Sequence, residues 1–212
     1  MQICHHYKDA SVEWAVCRFE ESFPELSALC DDASLVEYAL GHFSNEKRRC
    51  EWLAARILVK KLLGSCAEVG YSADGKPRLL DGSRYISISH TTGYVAVALH
   101  TECCVGVDVE AVGTKVLGLC KRFLSAEEID TIDKNNELTA ILLHWSAKES
   151  FYKIVGNKGG SFAENFMVTP FVVGQSGDFF ISYTYKGVLV KKLRVNYFVE
   201  KDYVFTLCVD DK

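Results

Sequence analysis

The sequence predicts an α+β protein built of two similar halves, 1–100 and 101–212, and three observations carry that prediction. Stretches of helical periodicity at about 45–63 and 137–155 lay Trp52 on Trp145, Ala54 on Ala147 and Lys60 on Lys153, at one offset of 93 (145 less 52). The same offset lays Val12, Trp14 and Val16 on Val105, Val107 and Val109, two runs with the period-two alternation of a strand. From residue 161 onward the chain reads as mostly strand, with a hairpin signal at Lys186-Gly187.

The elements follow in order. Val12–Val16 reads as a strand. Ser44 stands where a cap would open the first long helix, whose Trp52, Ala55, Val59 and Leu62 recur on one face before Gly64 ends it. Residues 72–77 form a turn around Asp74-Gly75. Tyr85–Ser89 and Tyr94–Leu99 read as a strand pair joined by His90-Thr91-Thr92-Gly93, and Cys104–Glu110 as a further strand. Ser125-Ala126-Glu127-Glu128 has the form of a capping box opening a short helix. The second long helix stops at Gly156.

At 212 residues, 49% hydrophobic and 25% charged, the chain is an ordinary globular one and can bury a sizeable core. No apolar run reaches the length of a membrane span. The first residues, Met1-Gln2-Ile3-Cys4-His5-His6, lack the basic and apolar regions of a signal peptide, so none is expected. A net charge of −4 argues against a general nucleic-acid binder. Against that acidic background, residues 43–64 hold Lys47, Arg48, Arg49, Arg56, Lys60 and Lys61 with only Glu46 and Glu51. Such a stretch is either a solvated helix face or a seat for phosphates or an acidic partner. Nine cysteines without a C-x-x-C pair read as reduced, partly core residues of a cytoplasmic protein, with neither a disulfide framework nor a zinc site.

Residues with chemistry fall in four places. In Gly106-Val107-Asp108-Val109-Glu110 the valines share one strand face, and Asp108 and Glu110 share the other, roughly 7 Å apart. Adjacent carboxylates repel and need solvent or a cation. The plain reading is a solvent-facing strand with two ordinary acids. In Trp145-Ser146-Ala147-Lys148-Glu149-Ser150-Phe151-Tyr152-Lys153, Glu149 and Lys153 stand one helical turn apart. That pair is either surface decoration or, if Glu149 meets Asp108 and Glu110, part of an oxygen-ligand site suited to Mg²⁺. Ser87-Ile88-Ser89-His90-Thr91 puts a histidine where strand gives way to turn, and Gly75-Lys76-Pro77-Arg78 puts two cations on a loop; both are either local structure or phosphate contacts.

Taken together and in this order, Gly-Lys-Pro, Ile-Ser-His-Thr, Gly-Val-Asp-Val-Glu, Arg-Phe-Leu-Ser-x-x-Glu and Trp-Ser-x-Lys-Glu-Ser-x-Tyr-Lys resemble the 4′-phosphopantetheinyl transferases, in their larger pseudo-dimeric form. The resemblance covers residues 44–160. It implies two α+β halves related by a pseudo-twofold, the second carrying the metal site. It implies transfer of the phosphopantetheine arm of coenzyme A to a serine of an apo acyl or peptidyl carrier protein, with release of 3′,5′-ADP. Asp108, Glu110 and Glu149 would hold Mg²⁺ against the coenzyme A pyrophosphate. Glu149, or a water it orients, would take the serine proton, and Lys153 would neutralise or protonate the leaving diphosphate side. Lys76 and His90 would contact phosphates of coenzyme A, Asp108 would face it through the metal, and Arg49 and Arg56 are candidates for its 3′-phosphate. The implied setting is cytoplasmic, in fatty acid or secondary metabolite biosynthesis, with a monomeric protein and no nucleic acid or membrane partner. One departure stands after Lys153, where 154–160 read Ile-Val-Gly-Asn-Lys-Gly-Gly instead of the family's compact Gly-Lys-Gly.

Two other classes use the same residues. A metal-dependent phosphohydrolase acting on coenzyme A or a nucleotide would direct water through the same acids. A non-catalytic relative would capture coenzyme A or a carrier without turnover.

Overall fold

The computed structural model describes residues 1–64, 67–156 and 159–211. Cys66, and the Asn157-Lys158 part of the departing loop, therefore lie outside the described residues. The chain divides into two compact units, Met1–Glu102 and Cys103 onward. Both are mixtures of helix and antiparallel sheet, which makes the protein α+β.

In the first unit, β1 (Gln2–Lys8), β2 (Val12–Arg18), β5 (Tyr85–Thr91) and β6 (Tyr94–His100) form an antiparallel sheet of order β1-β2-β6-β5. Three helices accompany it, α1 (Phe23–Leu29), α2 (Ala33–His42) and α3 (Glu46–Leu63), with a small hairpin of β3 (Val69–Tyr71) and β4 (Pro77–Leu79). The core joins Leu53, Ile57 and Leu58 of α3 to Val95, Val97 and Leu99 of β6. Asn45, not Ser44, caps α3: its side chain accepts a hydrogen bond from the Arg48 N–H, satisfying one of the donors every helix start leaves open. Gly64, at φ 63°, ends the helix in the left-handed conformation that glycine adopts at no steric cost. His90 belongs to β5 and not to the turn, which is reduced to Thr92-Gly93.

In the second unit, β7 (Val105–Ala111), β8 (Phe166–Val168), β9 (Ser176–Tyr185), β10 (Val188–Val199) and β11 (Tyr203–Val209) form a sheet of order β7-β11-β10-β9-β8. The capping box opens α4 (Ala126–Thr131) as the spacing predicts, α5 (Glu137–Val155) is the long helix, and α6 (Phe162–Asn165) is a single turn. Leu143, Ala147 and Phe151 of α5 pack with Ile181, Tyr183, Val195 and Val204 of the sheet. Lys186 (φ 50°) and Gly187 (φ 75°) make the β9–β10 hairpin turn.

The 93-residue offset carries β2 onto β7 residue for residue, and α3 onto α5 to within two residues. The connectivity recurs too. In each unit a strand leads to a long helix, and the unit's last strand returns to pair with that first strand, β6 with β2 and β11 with β7. No described helix is long and apolar enough to cross a membrane.

Candidate active site

Strand alternation puts Gly106, Asp108 and Glu110 on one face of β7, and that face meets α5. Neither face of the strand is open to solvent at its centre: Val107 and Val109 are fully buried, and Asp108 is 4% exposed. The plain reading of Asp108 as a solvent-facing acid therefore does not hold. A buried carboxylate needs partners, and α5 supplies one. Lys153 reaches across to donate to Asp108 Oδ1 at 3.0 Å and to the Val107 carbonyl at 2.7 Å. Two of the three donors of this ammonium thus go to β7, so Lys153 is tied into the strand and is no surface partner of Glu149.

Glu110, the next acid on that face, accepts a hydrogen bond from the Trp145 indole N–H at 2.8 Å. Burial, then the charge of Asp108, push its carboxyl up to about 7, against the pull of the indole donor. Glu149, one turn after Trp145 on α5, is also raised, by burial and then by Asp108, with Lys153 opposing. Asp108, Glu110 and Glu149 thus share one electrostatic neighbourhood, in which each further negative charge is costly.

That neighbourhood fits a divalent cation by its chemistry: an all-oxygen donor set with more negative charge than its surroundings tolerate. Among the described residues, no group of three His, Cys, Asp or Glu side chains is gathered tightly enough to hold an ion unaided. Two of the three acids already spend an oxygen on Lys153 and Trp145. Mg²⁺ seldom takes an all-protein cage and completes its shell with water and phosphate oxygens.

The other predicted residues lie in the first unit. His90, half-buried on β5, takes a hydrogen bond from Arg48 Nη1 at Nε2, 2.8 Å away, and its Nδ1 lies 3.3 Å from Glu51. Both ring nitrogens of His90 thus lie close to charged side chains of α3. The cation beside His90 is therefore Arg48, which the sequence reading passed over for Arg49 and Arg56. Arg49 Nε donates to the Phe43 carbonyl at 2.6 Å. Arg56 is buried, with its guanidinium 4.4 Å from the Trp52 ring centre and hydrogen-bonded to Tyr71 Oη at 2.8 Å. Its packing is that of a core residue. Lys76 lies 3.8 Å from Asp74 in the turn before β4.

Three residues that sequence reasoning left without a role belong to this site's frame: Gly106, Trp145 and Lys148. Each stood inside a quoted motif, but the motif alone did not say what it touches.

Residues 104–208 match the model of the 4′-phosphopantetheinyl transferase superfamily. That span runs through β7, α5 and β11 and contains Asp108, Glu110, Glu149 and Lys153. Over 115 residues the chain is 31% identical to a Synechocystis protein provisionally named a 4′-phosphopantetheinyl transferase; the match covers 49% of this chain and 47% of that protein. Over 120 residues it is 30% identical to the 4′-phosphopantetheinyl transferase AcpT of Salmonella typhi and to that of Salmonella typhimurium, covering 54% of this chain and 61% of each. The matched stretch is thus about half the length of these relatives. Residues 104–208 are thus similar in sequence to the 4′-phosphopantetheinyl transferase superfamily.

Proposed function

We propose that this protein transfers the 4′-phosphopantetheine group of coenzyme A to a serine hydroxyl of an apo acyl or peptidyl carrier protein. The observation that carries the reading is the meeting of β7 and α5. Two acids from the strand and one from the helix share one field, and Lys153 is bound to Asp108. Similarity to proteins named for this activity supports it.

In the proposed reaction the serine oxygen bonds to the pantetheine-bearing phosphorus of the coenzyme A pyrophosphate. The bridging P–O bond breaks, and 3′,5′-ADP leaves with the electron pair. A serine hydroxyl is a weak nucleophile at neutral pH and needs a base. Glu149 accepts its proton, directly or through a water, and its raised carboxyl suits that task. Lys153 stands against Asp108 and offsets negative charge on the leaving side. Asp108, Glu110 and Glu149 would hold Mg²⁺, which when bound supplies charge neutralisation to the pyrophosphate. His90 and Lys76 are proposed phosphate contacts of coenzyme A, with Arg48 joining His90; Arg49 and Arg56 rank behind Arg48 because they are less exposed, the one turned to the Phe43 carbonyl and the other buried against Trp52. The setting proposed is the cytoplasm, in keeping with free cysteines at 17, 50 and 208 inside the core. The protein is proposed to act as a monomer.

The deciding experiment is mass spectrometry of an apo carrier protein after incubation with this protein, coenzyme A and Mg²⁺. The expected result is a carrier heavier by one phosphopantetheine, formed only when both coenzyme A and the metal are present. Coenzyme A hydrolysed without carrier would replace the proposal with a phosphohydrolase. Binding of coenzyme A or carrier without turnover would leave a capture module.

A further inference from the structure

Lys148 lies on α5 between Trp145 and Glu149, yet its side chain is fully buried. Its ammonium donates to the Glu128 carboxylate at 2.7 Å, the Phe123 carbonyl at 2.6 Å and the Phe162 carbonyl at 3.2 Å. All three of its donors are thereby used within the protein, so Lys148 is not placed to handle a substrate. Glu128 is fixed in turn, accepting from the Ser125 N–H at 2.8 Å and the Val168 N–H at 2.9 Å.

The two carbonyls belong to segments far apart in the chain, one before α4 and one opening α6. The rings of those same two residues flank the Trp145 indole, Phe123 at 5.1 Å and Phe162 at 5.7 Å between ring centres. Trp145 precedes Lys148 by three residues, so both lie on neighbouring parts of one helix face. The indole N–H points to Glu110 Oε1. A continuous chain of contacts therefore runs from a buried ammonium, through two backbone carbonyls and two phenyl rings, to an indole that holds one of the three acids.

We propose that Lys148 is a positioning residue for the acid cluster: it clamps the segments carrying Phe123 and Phe162, whose rings hold Trp145 so that its indole fixes the Glu110 carboxylate. The inference rests on the reading of Asp108, Glu110 and Glu149 as cation ligands. Groups that orient a metal ligand from behind typically alter metal affinity by about 10–100-fold when removed.

The test is a Mn²⁺ titration of the full-length protein with coenzyme A present, followed by electron paramagnetic resonance of the free ion, so that affinity is read apart from turnover. Trp145→Phe, which keeps the ring and loses the donor, is expected to weaken Mn²⁺ binding about tenfold. Lys148→Met is expected to weaken it comparably in the wild-type background and to add nothing in the Trp145→Phe background. Equal losses in both backgrounds would mean that Lys148 merely stabilises the fold, and would overturn the inference. So would wild-type affinity in Trp145→Phe. If Lys148→Met does not fold, Phe162→Leu runs the same cycle, because it keeps the carbonyl that Lys148 uses and removes only the ring. A wild-type protein that binds no Mn²⁺ would instead overturn the cation reading itself, and this inference with it.

Discussion

Gly106 of β7 lies directly against Ser150 of α5: a Cβ on Gly106 would stand 1.9 Å from the Ser150 carbonyl oxygen and 2.9 Å from its carbon. Backbone atoms on a helix cannot yield as the end of a side chain can. The helix also rests on β11 through small polar side chains, with Ser146 Oγ 2.9 Å from Thr206 Oγ1, and Thr206 pairs with Asp108. Gly106→Ala must therefore push α5 off the strand. Overpacking of this kind costs about 1–3 kcal/mol and occasionally more. The displacement falls between β7 and the helix bearing Glu149 and Lys153, so carrier labelling should be lost well beyond what the fall in thermal midpoint explains. Calorimetry and labelling of the same sample test this; normal labelling by a destabilised Gly106→Ala protein would contradict it.

Glu149→Gln should separate stability from activity. The raised Glu149 carboxyl means that the folded state opposes its negative charge, through burial and through Asp108. A carboxyl raised on folding supports stability below its unfolded value and loses that support as pH climbs through its folded value. The neutral isostere removes the penalty at high pH, so the metal-free variant should melt higher than wild type at pH 8, by an amount that shrinks toward pH 5. Labelling should fall about 10²–10⁴-fold, the usual worth of a general base. Calorimetry across pH, with carrier labelling in parallel, reads both effects. A variant that melts lower at pH 8, or that labels normally, would count against the assignment.

How far the sequence carries the fold is plain from particular residues. The valine alternation of β7 and the helical spacing of α5 are period signals, and both elements stand where their periods put them. The capping box at Ser125–Glu128 was legible because its two hydrogen bonds lie within four residues. What Glu128 does besides capping was not legible, because Lys148 lies twenty residues on and their meeting depends on tertiary packing. The Arg-Phe-Leu-Ser-x-x-Glu and Trp-Ser-x-Lys-Glu motifs are thus two ends of one buried ion pair. The same limit explains Arg48: charge alone ranks it with Arg49 and Arg56, and only the pairing of His90 across 42 residues distinguishes it.

Arg48 and Arg56 should accordingly fail in different ways. Arg48 is exposed enough to be replaced without a cavity, and it donates to His90. Arg48→Ala should leave the thermal midpoint near wild type and raise the KM for coenzyme A about tenfold, as expected for a lost charge-assisted contact worth roughly 1.5 kcal/mol. Arg56→Ala removes a buried guanidinium stacked on Trp52 and hydrogen-bonded to Tyr71. It should cost about 2 kcal/mol or more of stability with little change in KM. Steady-state kinetics and thermal melts on the two variants decide between them, and a reversed pattern would return the phosphate contact to Arg56.

The cysteines make a prediction about the cores. Burial pushes the Cys17 thiol up to about 11 and the Cys208 thiol up to about 12, from an ordinary value of 9.0. The thiolate is the reactive form, so both should resist iodoacetamide at pH 8 while the protein is folded. Cys4 and Cys104 are exposed and should be modified under the same conditions. The sign for stability follows from the same shifts. A thiol whose folded value is raised stabilises the fold below pH 9 and ceases to do so as pH rises toward 11 and 12. The protein should therefore lose stability steeply above pH 9, with Cys17 and Cys208 becoming modifiable as it does. Mapping carbamidomethyl sites by mass spectrometry at pH 8 and pH 10.5 tests the pair. Modification of Cys208 in the folded protein at pH 8 would mean that the contact it makes with Gly106 and Ser150, beneath the acid cluster, is open to solvent.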